Sequence, residues 1–225
     1  MGGQQAAVAD GAAAGRVARK RGRRIQEIVT TAAELFGARG YDAVSLDDVA
    51  DRLDVTKGSL YYYFASKDEL VTAAIETLGT EWTDRLERLP AARQGSPTER
   101  LRALLREHIG IAVREYPAAL GLFLVPENWP AEQRARIKEL RRRHDRLFRR
   151  VVEEGVASGE FTVTTVGTVL QCMHAAMSQA PTWCGHLAAR AREKAMDEMT
   201  DTLMMLVGVR PATRAAPPAP PADRR

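Results

Sequence analysis

Residues 44–64, VSLDDVADRLDVTKGSLYYYF, admit little other than two short helices joined by a tight turn. Ser45 is placed to cap the first helix, and Asp48, three residues on, can complete a capping box. Val49, Ala50 and Leu53 then form an apolar stripe at helical spacing, which Asp54 and Val55 interrupt. Thr56 can cap a second helix whose inward residues are Leu60 and Phe64. Lys57, Gly58, Ser59, Tyr61 and Tyr62 are left with no core to enter. Successive helical residues point about 100° apart, so three consecutive tyrosines cannot all be buried. Lysine and tyrosine donate to phosphate oxygens, while glycine and serine let a backbone approach a groove closely. The pattern predicts a helix-turn-helix whose second helix docks on DNA.

The segment before it is basic. Arg16, Arg19, Lys20, Arg21, Arg23 and Arg24 follow one another with no acid among them. Such a cluster repels itself, so residues 1–20 are expected to be a disordered basic arm that meets phosphates or the minor groove. Arg23 and Arg24 join the candidate DNA contacts. The whole chain has 225 residues and a net charge of only +4, so the placement of charge matters more than its sum. Hydrophobic residues make up 45%, enough for a sizeable core, yet no apolar run approaches the roughly 20 residues of a membrane span. The first residues lack the apolar stretch of a signal peptide, and two cysteines give no disulfide framework. A cytoplasmic protein is expected.

The run from Arg24 to about Ile75 resembles the N-terminal domain of the TetR/AcrR family of bacterial transcriptional regulators. The resemblance is carried by a first helix ending in AAELFGARGYDAVS, the pair LDDVADRLDV and TKGSLYYYF, and SKDEL opening a fourth helix. It implies that Lys57, Ser59, Tyr61 and Tyr62 contact DNA, that Thr56 and Gly58 lie on the same surface, and that Lys67 touches the backbone. Ser45 completes the candidate set. The implied architecture is all-α: a helix-turn-helix DNA-binding domain over 21–78 and an effector-binding and dimerisation domain over 79–210. A Pro-rich tail, 211–225, is expected to be disordered. Periodicity places helices near 21–38, 45–53, 56–63 and 66–89, a linker at 90–97, a helix with Leu101 to Val113 inward, and a long one from about Pro130 to Ala157. Two further helices, about 164–180 and 187–208, are apolar on more than one face and so need a second partner surface. The resemblance implies that this partner is the same helix pair of a second subunit.

The C-terminal half offers an effector site rather than an active site. There is no Gly-rich phosphate loop, nucleophile elbow or acid–base pair, so neither catalysis nor a cofactor is expected. His108 and His144 lie on apolar stripes, where each is either a satisfied core histidine or the polar end of a ligand pocket. Phe123, Trp129, Met173 and Met177 are candidates for lining the same pocket. Cys172-x-His174 and Cys184-x-His186 have zinc-binding side chains, but residues i and i+2 of a helix diverge by about 200°, so no metal site is expected. Arg142, Arg146 and Arg149 share a basic face of the long helix. This half loosely resembles a branch of the family in which acyl-CoA thioesters are inducers, and those arginines would suit the CoA phosphates. The expected protein is a homodimeric repressor of a pseudo-palindromic operator, released by a small hydrophobic effector for which an acyl-CoA is the candidate. An activator, or a regulator sensing a different hydrophobic molecule, shares the same fold; a lipid carrier or enzyme is the remote alternative.

Overall fold

The computed structural model describes residues 3–117, 119, 121–124 and 129–209, with the side chains of 3–14, 121 and 124 left aside. Among the described residues every regular element is a helix. They run α1 (Gly3–Arg39), α2 (Leu46–Arg52), α3 (Lys57–Tyr61), α4 (Lys67–Arg88), α5 (Pro90–Arg93), α6 (Pro97–Arg114), α7 (Gly121–Leu124), α8 (Ala131–Ala157), α9 (Val166–Cys184) and α10 (Ala189–Met205).

The helix starts follow the capping chemistry in the sequence. Ser45, Thr56, Ser66 and Ser96 are extended N-caps whose hydroxyls accept from the backbone N–H three residues on. Pro130 precedes α8, and Leu89–Pro90 opens the single turn α5 inside what the sequence marks as a linker. One boundary differs from expectation. The first helix begins at Gly3 instead of near residue 21, so residues 3–20 are helical where a disordered arm was expected. Alanine, arginine, lysine and glutamine have high helix propensity, which here outweighs the mutual repulsion of the basic side chains. The Pro-rich tail 211–225 lies outside the described residues.

Two apolar cores lie end to end. The N-terminal one joins Ile28, Val29, Ala32 and Phe36 of α1 to Val49, Leu60, Phe64 and the first half of α4. The C-terminal one joins α6, α9 and α10 around Leu104, Ile109, Phe148, Met173 and Met204. Each fully buried aliphatic side chain contributes about 1.5–3 kcal/mol. α4 and α8 belong to both cores. Leu70 to Leu78 of α4 and Ile137 and Leu140 of α8 serve the first, whereas Trp82, Leu86, Phe148, Val151 and Val152 serve the second. The boundary expected at residue 78 therefore falls inside a continuous helix. Polar pairs hold α4 and α8 together along this shared length: Gln133 Nε2 donates to Thr72 Oγ1 at 2.9 Å, Arg136 meets Glu76 at 2.8 Å, and Arg143 meets Asp84 at 2.6 Å and Glu87 at 2.7 Å.

Candidate functional site

Two surfaces carry chemistry, one at each end of α4. The first is the turn between α2 and α3. Asp54 adopts φ 53°, a left-handed conformation that aspartate tolerates, and the Val55 N–H donates to the Ala50 carbonyl at 3.0 Å. This sharp turn lays α3 across the domain with Leu60 alone buried from that helix. Thr56, Lys57, Gly58, Ser59, Tyr61 and Tyr62 are all exposed. Tyr61 is 44% and Tyr62 69% exposed, while Tyr63 packs against the N-terminal core, as helical geometry requires of three consecutive tyrosines. A Cβ added at Gly58 would meet no protein atom within 4 Å, so nothing within the chain demands a glycine there.

Neighbouring charges preset this surface. Lys57 Nζ donates to Asp47 Oδ2 at 2.7 Å, which pushes the lysine pKa up, and lies 5.9 Å from the Tyr61 ring centre. Lys67, in the first turn of α4, sits 4.2 Å over the Tyr41 ring. The Tyr41 hydroxyl donates to Asp68, and burial with that bond raises its pKa to about 12. The Arg21 guanidinium lies 5.8 Å from the Tyr62 ring centre, which brings the basic part of α1 against α3. Arg23 is exposed, whereas Arg24 is paired with Glu27 at 2.6 Å. Ser45 is less suited to DNA than its place in the candidate set implied: its hydroxyl both accepts from the Asp48 N–H at 3.1 Å and donates to the Asp48 carboxylate.

The second surface is a cavity of about 120 Å³ where α4, α6, α8 and α9 meet. It is lined by Gly79, Trp82, Thr83, His108, Phe123, Leu140, Arg141, His144, His174 and Ser178. Of the six candidate effector residues, His108, Phe123 and His144 lie on this wall and three do not. Trp129 packs edge-on to Phe36 and Tyr41, at 6.3 and 5.6 Å between ring centres, and closes the N-terminal core. Met173 and Met177 share the inward stripe of α9 with Leu170 and Ala180 and fill the C-terminal core. His174 and Ser178 lie one residue further on, about 100° round the helix, and it is they that face the cavity. Trp82 and Arg141 also belong to the wall. Their signal in the sequence was only that each shares a helix with a recognisable pocket or core residue.

The histidines form a chain of rings. Trp82 stacks on His108 at 5.3 Å, His108 meets His144 at 4.9 Å, and His144 meets His174 at 5.4 Å. Burial pushes all three imidazoles toward the neutral form, His108 to about 3, with mutual repulsion adding to the shift for His108 and His144. Asp145, 3.9 Å from His174 Nδ1, opposes this, while Arg141 and Arg149 reinforce it. The arginines of α8 are placed differently from expectation. Arg142 and Arg146 point to Glu139 and Arg149 to Asp145, and it is Arg141 that stands at the cavity edge. Among the described residues no group of His, Cys, Asp or Glu is arranged to hold a metal, and both cysteines are free thiols.

Set beside known proteins, this arrangement has clear relatives. The family model for the bacterial regulatory proteins of the tetR family matches residues 28–74, and that for the tetracyclin repressor-like C-terminal domain matches residues 94–207. A solved TetR/AcrR-family transcriptional regulator from Thermobifida fusca is 31% identical, with a TM-score of 0.61, the match covering 81% of this chain and 97% of the other. The chain belongs to the TetR family of bacterial regulatory proteins, and α2 and α3 are its DNA-binding helix-turn-helix. The HTH-type transcriptional repressor KstR2 of Mycobacterium tuberculosis is 27% identical over 150 residues, 66% of this chain and 72% of that protein. The transcriptional regulator FadR from Bacillus subtilis, solved in complex with stearoyl-CoA, shares the fold at 18% identity and a TM-score of 0.62, over 81% of this chain and 96% of the other.

Proposed function

We propose that this protein is a homodimeric repressor that binds a two-fold symmetric operator in the cytoplasm and leaves it when an acyl-CoA thioester occupies the C-terminal domain. One observation carries the ligand-released part: α4 runs unbroken from Lys67, on the DNA-facing surface, to Trp82 on the cavity wall. At about 1.5 Å per residue the two lie roughly 22 Å apart on one rigid element. An occupant that shifts α4 against α8 at the cavity would move α3 relative to its mate in the other subunit. Release then follows from the effector's differential affinity for the two arrangements.

Dimerisation is supported by the outward face of α9. Thr168, Gln171, Cys172, Ala175, Gln179, Thr182 and Trp183 are exposed there, and α9 as a whole contains no Asp, Glu, Lys or Arg. Trp183 is 55% exposed, and Met205 and Leu206 are exposed at the end of α10. An uncharged helix face with an exposed tryptophan is what a bundle interface needs. The repressor among the relatives supports repression, and the CoA complex of FadR supports the effector class. Direct contacts are proposed for Lys57, Gly58, Ser59, Tyr61, Tyr62, Thr56, Lys67 and Arg23 on DNA, and for His108, Phe123 and His144 on the effector.

Footprinting on the DNA upstream of the protein's own gene tests this reading. It should show two symmetric half-sites about one helical turn apart, no longer protected once an acyl-CoA, but not a matched free acid, is added. A footprint that no acyl-CoA disturbs would remove the effector, and an asymmetric single half-site would remove the dimer. Stimulated instead of reduced transcription from the bound promoter would make the protein an activator.

A further inference from the structure

One wall of the cavity is a contact with no slack. Trp82 Nε1, His108 Nδ1, His144 Nε2 and His174 Nε2 have almost no accessible surface, so those rings meet the cavity chiefly through carbon. Phe123, Leu140 and Gly79 extend this apolar lining. At Gly79 even a methyl group would collide with Leu140 and press on Phe123. Polar pairs flank the contact on both sides: Gln133 with Thr72 and Arg136 with Glu76 toward the N-terminal core, Arg143 with Asp84 and Glu87 toward the C-terminal one. The cavity does not lengthen between α4 and α8 unless the two helices separate.

Volume sets how much hydrocarbon fits. An engineered cavity of about 150 Å³ holds one benzene, about 25 Å³ for each carbon. A cavity of about 120 Å³ therefore takes about five carbons. Each apolar carbon that enters gains about fourfold in affinity. The next one has to displace Leu140 or stay at the mouth, and it gains nothing. Among the described residues, the one charged group on the wall is Arg141, which is exposed and stands at the edge. The anionic part of a ligand belongs outside, beside it.

We infer that this cavity takes a short acyl tail of about four to six carbons, and that Leu140, braced against Gly79, sets the limit. This rests on the acyl-CoA reading above and narrows it to short-chain thioesters.

The test is calorimetric titration of the full-length protein with acyl-CoAs of two to ten carbons and with the matching free acids. Affinity should climb about fourfold per carbon from acetyl- to pentanoyl-CoA and stop climbing by heptanoyl-CoA. Leu140→Val removes one carbon from the wall and should move that ceiling about one carbon longer, whereas Gly79→Ala should move it about one carbon shorter. Variants that weaken every length alike and leave the ceiling in place would overturn the role of Leu140. A rise that continues through decanoyl-CoA, or no rise between acetyl- and pentanoyl-CoA, overturns the length limit and leaves the acyl-CoA reading standing. Free acids with the same ceiling and the same affinity would overturn the CoA reading and leave the length limit standing. Binding by no compound of either series overturns both.

Discussion

Gly79 of α4 lies so close to Leu140 of α8 that a Cβ built on the glycine would stand 2.7 Å from Leu140 Cδ1 and 3.3 Å from the Phe123 ring. All three residues line the cavity, so a tight contact between the two helices that link the cores is also part of the cavity wall. Gly79→Ala should therefore separate stability from response. Helix propensity favours alanine by about 1 kcal/mol, and overpacking costs about 1–3 kcal/mol. The net loss in urea unfolding should be below about 2 kcal/mol, with Leu140 turning aside. The added methyl occupies cavity space, so operator release should need a markedly higher effector concentration. An unchanged release curve would mean that occupancy is not sensed at this crossing.

The buried imidazoles make stability depend on pH. Their folded pKa values lie below the unfolded value of about 6.5, that of His108 at about 3. Below 6.5 the unfolded chain takes up protons that the folded chain refuses. Their contribution is thus complete above about pH 6.5 and is lost as pH falls toward the folded values. Each imidazole costs about 1.4 kcal/mol per pH unit in that window. The unfolding free energy should drop between pH 7.5 and 5.5, by about 1.4 kcal/mol from His108 alone and further from the other two, read as a lower urea midpoint at fixed m-value. Equal midpoints at the two pH values would contradict the neutral cluster.

On the DNA face, Asp47 holds Lys57 before any phosphate arrives. Asp47→Asn frees the lysine and removes a negative charge from the docking surface. Affinity for operator and for unrelated DNA should both rise, by roughly three- to tenfold at low salt. Weaker binding would show that Asp47 positions the lysine instead of competing for it.

The helical basic segment gives a salt-dependence test. Replacing Arg16, Arg19 and Arg23 with Gln alters only exposed residues, so the melting temperature should hardly move. Each phosphate that an arginine no longer neutralises lowers the slope of log affinity against log salt by about 0.9. An unchanged slope would place this stretch of α1 away from DNA.

Local chemistry made the DNA-binding half readable. Ser45, Thr56 and Ser66 each announce a helix start through the side-chain bond they go on to make, and the Tyr61–Tyr63 run has too many large polar rings for one buried face. The start of α1 was not legible, because charge repulsion in the basic stretch argues for disorder while its helix propensity, which prevails, argues for order. The cavity was only half legible. His108 and His144 sit on visible apolar stripes, but Trp82, Arg141 and His174 become neighbours only through the packing of α4, α8 and α9, which no single helix encodes. Trp129 shows the same limit in reverse: an aromatic near the expected pocket turned to the nearer N-terminal core, where Phe36 and Tyr41 receive it.

As the proposed recognition helix, α3 reads DNA through side chains that the core does not use. The most direct measurement is the operator affinity of Lys57→Ala combined with Tyr61→Phe, by fluorescence anisotropy at fixed salt, beside the melting temperature. One charge and one hydroxyl are removed, both from exposed residues. Affinity should fall by roughly 2 kcal/mol, on the order of thirtyfold, with melting unchanged within a few degrees. A double variant that binds its operator as tightly as the wild type would contradict the assignment of α3 as the recognition helix.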